Sequence, residues 1–236
     1  MGVEADERGV WLIKMFFVFE GIDGSGKSTQ AAYAADWLRS RLSRNDGSGR
    51  SPQKVLLTRE PGGWDGGGTL RELALGGSLV SSWSEFFLFM ADRCEHAERV
   101  LRPAIEDGQI VVCDRYTPST TAYQLFGVLG GLGGEMDEAG RGYLLRLADE
   151  IGLPRPNAIF WLDLDVATAR QRLESRGDCN AFDARDSGYF ERVRAGYEEQ
   201  MRMGVSGDDW IRIDASRSRT EISAEVACHL ERLVTL

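Results

Sequence analysis

The chain has 236 residues, of which 42% are hydrophobic and 28% charged, and a formal net charge of −9. That length fits one α/β domain better than two. No run of 18 or more apolar residues is present to span a bilayer, and the acidic balance argues against a surface that tracks a nucleic-acid backbone, so neither membrane nor nucleic acid is an expected partner.

Cys94, Cys113, Cys179 and Cys228 form no C-x-x-C pair, and His96 and His229 are too few and too far apart for a His-rich metal site. Only three of the 28 basic residues are lysines, Lys14, Lys27 and Lys54. A phosphate-handling site in so acidic a chain must rest on locally clustered cations.

Residues 1–14 read as an N-terminal extension, with Met15 as an alternative start. Glu4, Asp6 and Glu7 precede the apolar Trp11-Leu12-Ile13, the reverse of a secretory signal's charge order, so a cytoplasmic location is expected. Met15 to Glu20 is a short apolar run suited to a buried parallel strand, and a glycine-rich turn and helical periodicity from about Lys27 to Leu42 follow it. After a polar loop, Val55-Leu56-Leu57 reads as the second strand. The proline- and glycine-dense stretch from Arg59 to Gly68 reads as loop throughout.

One long helical segment is expected from Trp83 to about Asp107, ended by Gly108, with Ile110 to Cys113 as the third strand and Asp114 at its carboxyl end. A helix after Ser119, a glycine-rich passage from Gly127 to Gly134 and a helix through Asp149 lead to a fourth strand, Ala158 to Leu164. Helix (about Val166 to Ser175), polar loop, helix (about Gly188 to Met203), strand (Trp210 to Ile213) and helix (Glu221 to Leu233) complete the pattern. Such alternation predicts an α/β fold, a five-stranded, mostly parallel sheet with helices on both faces, which binds ligands at the carboxyl ends of its strands.

Gly21-Ile22-Asp23-Gly24-Ser25-Gly26-Lys27-Ser28 matches G-x-x-x-x-G-K-[ST] between a predicted strand and a predicted helix, the context a P-loop requires. Its backbone N–H groups cradle phosphate at a helix amino terminus, Lys27 reaches the β and γ oxygens, and Ser28 offers a hydroxyl to Mg²⁺, with Thr29 completing the turn. The loop alone leaves GTPases, motor ATPases and kinases open.

Phe89 and Arg93 are four apart and share a helix face, so a pyrimidine stacked on the phenyl would meet the guanidinium at its edge. Phe86, Phe87 and Phe89 could equally all be core. Asp114-Arg115 occupies the place of a magnesium-holding acid, with a buried Asp–Arg ion pair as the rival reading. Ser119 to Gln124 supplies hydroxyl and amide groups for a sugar or a base.

Phe19 to Gln30, Thr58-Arg59-Glu60-Pro61-Gly62-Gly63, Phe89-Met90-Ala91-Asp92-Arg93, and Asp114-Arg115-Tyr116 with Ser119-Thr120 and Ala122-Tyr123-Gln124 together resemble the thymidylate kinase family, in its order and spacing, from about Met15 onward. The resemblance implies the P-loop NTPase fold in a homodimeric enzyme making dTDP and ADP from dTMP and ATP with Mg²⁺. It implies that Phe89 stacks on thymine, Arg93 bonds O4 and Arg115 holds the acceptor phosphate. Asp23 would lie near the acceptor's sugar and phosphate, Thr120, Tyr123 and Gln124 would bound base and deoxyribose, and Asp114 would help position magnesium.

Phosphoryl transfer also calls for a mobile arginine. The resemblance implies that it comes either from the phosphate loop or from a lid; position 24 is glycine, so the loop supplies none, and the bacterial-type arrangement with an arginine in a lid is the better fit. The lid is expected at about 175–186, with Arg172, Arg176 and Arg185 as its cations and Arg176 favoured. The family's Asp-Arg pair a little further on is replaced here by Asn180-Ala181. The alternatives are another P-loop nucleotide or deoxynucleoside kinase, or a P-loop switch with no acceptor site.

Overall fold

The computed structural model describes residues 2–5, 11–42, 53–128, 147, 150–176, 185–204 and 209–234. Two short strands, β1 (Gly2–Ala5) and β2 (Trp11–Lys14), pair antiparallel where only an extension was expected. The main sheet begins with β3 (Phe16–Glu20), and helix α1 (Lys27–Leu42) follows the glycine turn.

Next come β4 (Val55–Arg59) and α2 (Gly67–Leu75). That helix corrects the expectation of loop through Gly68. Its first turn uses glycines that punctuate the sequence like a loop, while Leu70 to Leu75 are good helix formers. Helix α3 (Ser82–His96) runs through a π-helical stretch (Ala97–Leu101) into α4 (Arg102–Glu106), so the expected long segment is continuous but not uniformly α. The Ser81 side chain caps α3 by accepting from the Ser84 N–H.

Strand β5 (Ile110–Asp114) leads into α5 (Thr117–Thr120) and a second π-helical stretch (Thr121–Val128). The glycine-rich passage beyond Val128 and the helix expected through Asp149 lie almost wholly outside the described residues. Strand β6 (Ala158–Asp163), α6 (Val166–Arg176), α7 (Ser187–Met203), β7 (Asp209–Asp214) and α8 (Arg219–Val234) complete the order. Asp186 caps α7, and Ser218 with Glu221 forms a reciprocal capping box at α8.

The five main strands lie in the order β4-β5-β3-β6-β7, and every pairing is parallel. Side chains alternate across β3. Phe17 and Phe19 pack with Ala31, Ala34, Leu38, Val226 and Leu230 of α1 and α8, whereas Phe16 and Val18 pack with Ala97, Leu101 and Ala104 on the opposite face. This two-sided burial accounts for the unbroken apolar run in the sequence. The carboxyl ends of β3, β4 and β5 thus open together onto one crevice.

Candidate active site

The crevice is a cavity of about 470 Å³ lined on one wall by Asp23, Gly24, Gly26, Lys27, Ser28 and Thr29, and on the other by Phe89, Arg93, Thr120, Tyr123 and Gln124, with Asp114 and Arg115 between. Gly21, Ile22 and Ser25 form the buried back of the loop. The turn needs its glycines for different reasons. At Gly24, φ is +86° and an added Cβ would sit 2.5 Å from the Ala169 carbonyl oxygen of α6. At Gly26, φ is +92° but the space a Cβ would take is open, on the cavity side. No side chain, arginine included, fits at position 24 without displacing α6.

Lys27 is buried at the head of α1, with Nζ 3.1 Å from Asp23 Oδ1 and 3.4 Å from the Ile22 carbonyl. Burial and the neighbouring charge of Arg115 push its pKa down, opposed by Asp23 and Asp114. Arg115 has φ +72°, a left-handed conformation uncommon for a non-glycine residue. It is held there by its N–H to the Phe19 carbonyl and by the next residue's N–H to Glu20 Oε1 at 2.7 Å.

The Arg115 guanidinium donates to Asp23 Oδ1, to the Tyr123 hydroxyl at 3.1 Å and to Ser119 Oγ at 3.0 Å. Tyr123 in turn donates to Asp23 Oδ2 at 2.9 Å. Burial alone would raise the Asp23 carboxyl, but Arg115, Lys27 and the Tyr123 hydrogen bond outweigh it and hold the group well below the usual carboxylate range. Arg115 therefore pairs with Asp23 and not with its neighbour Asp114, whose Oδ1 is buried without a hydrogen-bond partner. That answers the ion-pair reading of Asp114-Arg115.

The three phenylalanines of α3 separate cleanly. Phe86 is core at 2% exposure, Phe87 is 61% exposed, and Phe89 faces the cavity. Arg93 is buried and donates to Glu60 Oε2 at 2.7 Å, Thr120 Oγ1 at 2.7 Å and the Tyr116 carbonyl at 3.0 Å. On the other side of Glu60, His96 Nδ1 lies 2.9 Å from Oε1, and His96 Nε2 lies 2.7 Å from Thr58 Oγ1. A carboxylate only accepts, so Nδ1 carries a proton toward Glu60.

Several lining residues were not singled out by sequence reasoning. Arg59, Glu60 and Pro61 belonged to a quoted motif but had no role, and Arg71, Leu75 and Leu173 had none either. Arg71 donates to the Pro61 carbonyl at 2.8 Å, and burial together with the charges of Arg59 and Arg115 lowers its pKa. Arg59, Arg71 and Arg115 concentrate positive charge in a chain of net −9. No local spacing marks Arg71, because its helix opens inside a glycine cluster.

Of the expected lid cations, Arg172 donates to the Ala215 carbonyl at 3.0 Å, and Arg185 donates to Glu85 Oε2 at 2.7 Å with its Cζ 4.5 Å above the Tyr189 ring. Helix α6 extends to Arg176, while residues 177–184 of the expected lid and the Arg176 side chain lie outside the described residues.

A parallel sheet with a glycine loop at the head of a helix, facing a second wall across one crevice, defines a P-loop NTPase-fold protein. The family model of thymidylate kinase matches residues 19–226. A thymidylate kinase of Leifsonia xyli subsp. xyli is 40% identical over 219 residues, covering 92% of this chain and 94% of that protein. One of Trichodesmium erythraeum is 34% identical over 239 residues, covering 94% and 98%. The crystal structure of thymidylate kinase from Ehrlichia chaffeensis superposes with a TM-score of 0.67 at 29% identity, covering 92% of this chain and 98% of that one. The chain belongs to the thymidylate kinase family.

Proposed function

We propose that the chain transfers the γ-phosphoryl of ATP to dTMP, giving dTDP and ADP on the way to dTTP. The observation that carries this reading is the single cavity shared by the Lys27 loop and the Phe89/Arg93 wall, with Arg115 between them. The loop N–H groups and Lys27 bind the donor's β- and γ-phosphates, while Arg115, with Arg59 and Arg71, binds the acceptor phosphate. Phe89 stacks on the pyrimidine, Arg93 donates to O4, and Thr120 and Gln124 bound the base. Tyr123 is pinned between Asp23 and Arg115, and in this reading it would crowd a 2′-hydroxyl.

The unpartnered Asp114 Oδ1 and the exposed Ser28 hydroxyl on the same cavity fit a magnesium ion. Mg²⁺ bound there neutralises charge developing on the phosphate oxygens. Arg176, at the end of α6, is the lid arginine of this reading. A homodimer accords with the large apolar side chains that α3 and its approach leave exposed, Val80, Trp83 and Phe87. The enzyme is read as cytoplasmic.

The test is a coupled ADP assay with dTMP, dUMP, dCMP, AMP and thymidine as acceptors. A clear preference for dTMP is expected. ATP hydrolysis indifferent to every acceptor would mean a switch with no acceptor site.

A further inference from the structure

We propose that Glu85 is a positioning residue that decides which atom of Gln124 faces the acceptor base, and so favours a ring bearing an N–H, thymine or uracil, over one with an unprotonated ring nitrogen, cytosine. The proposal rests on the cleft being the nucleotide acceptor site argued above.

Glu85 lies in the first turn of α3, where the helix amino terminus favours a carboxylate, and is only 9% exposed. Its Oε1 accepts from Gln124 Nε2 at 3.1 Å and its Oε2 from Arg185 Nη2 at 2.7 Å. A carboxylate flanked by a guanidinium has no proton to offer, so only the NH₂ of a carboxamide can face it. The orientation of the Gln124 amide is therefore chemically dictated. Its carbonyl Oε1 takes no hydrogen bond from any described residue, and Gln124 lines the same cavity as Phe89, Arg93 and Thr120.

An acceptor-only atom on that wall is complementary to the ring N3–H of thymine or uracil. Cytosine presents a lone pair at N3, which opposes the carbonyl and leaves two acceptors facing each other out of water. Arg93 adds to the same bias, because a guanidinium donates to a carbonyl at C4 and not to an amino group. Without the Glu85 carboxylate, the Gln124 amide is free to turn and present NH₂ to cytosine.

The measurement is kcat/KM for dTMP, dUMP and dCMP in the parent enzyme, Glu85→Gln, Gln124→Ala and the double variant, with Glu85→Ala as an independent second substitution. The dCMP:dTMP ratio should rise by about tenfold or more in Glu85→Gln and Glu85→Ala, with dUMP:dTMP unchanged because both rings carry N3–H. In the Gln124→Ala background the same substitution should leave the dCMP:dTMP ratio within about twofold, since nothing remains to orient. An unchanged ratio in both Glu85 variants, or an equal change with and without Gln124, overturns the proposal. A parent enzyme that does not turn over dTMP overturns instead the acceptor assignment on which it rests.

Discussion

Arg93 and Glu60 form a deeply buried ion pair bordering the cleft, with side-chain exposures of 2% and 3%. Replacing Arg93 by Met removes a guanidinium that bonds Glu60, Thr120 and the Tyr116 carbonyl, and leaves a carboxylate buried with only His96 beside it. Breaking one side of a buried pair costs about 3–5 kcal/mol, which for a domain of this size lowers Tm by about 6–20 °C. The double variant Arg93→Met/Glu60→Gln leaves no uncompensated charge and should regain most of that stability in urea denaturation. Its kcat/KM for dTMP should stay depressed by about 10–100-fold, the worth of one charge-assisted hydrogen bond to the base. A loss under about 1 kcal/mol in the single variant, or a double variant no more stable than the single, would refute the reasoning.

Arg176→Ala is expected to lower kcat by about two orders of magnitude with little change in KM, as for a contact made only in the transition state; a change confined to KM would mean the wrong arginine. Asp23 has a depressed folded pKa, so its contribution to stability is present above the unfolded value of about 4 and is lost as pH falls below it. Asp23→Asn should therefore lose about 1–3 kcal/mol at neutral pH, a gap that closes on acidification; a gap constant from pH 7 to pH 3, followed by denaturation, would contradict the assignment. Gly24→Ala meets both a left-handed φ and the Ala169 carbonyl, and should lower Tm and abolish ATP binding in calorimetry. Parent-like ATP affinity would show that the loop does not hold the donor phosphate as described.

What could be read from the sequence was what is local. Phe16 to Glu20 declares a two-sided strand by its unbroken apolarity, and the loop from Gly21 to Ser28 carries its own turn chemistry and the helix start that follows. Phe89 and Arg93 were paired by helical spacing alone, although that spacing could not separate Phe89 from Phe86 and Phe87. Only packing sorted core from cavity.

The unread parts are long-range. Glu85 meets Gln124 and Arg185 at separations of 39 and 100 residues, so no local pattern pairs the expected lid cation Arg185 with α3. Glu60 meets Arg93 and His96 across 33 and 36 residues. Arg71 reaches the cleft from a helix whose opening glycines look like loop, and the β1–β2 pairing lies in residues that carry no turn signature beyond Gly9.

The central claim is that donor and acceptor phosphates meet in one cleft. Binding of an adenosine and a thymidine joined 5′ to 5′ through a polyphosphate, followed by calorimetry and by competition kinetics, tests it most directly. The account predicts that this one molecule binds more tightly than ATP or dTMP alone and competes with both. A compound displaced by ATP but indifferent to dTMP would contradict it.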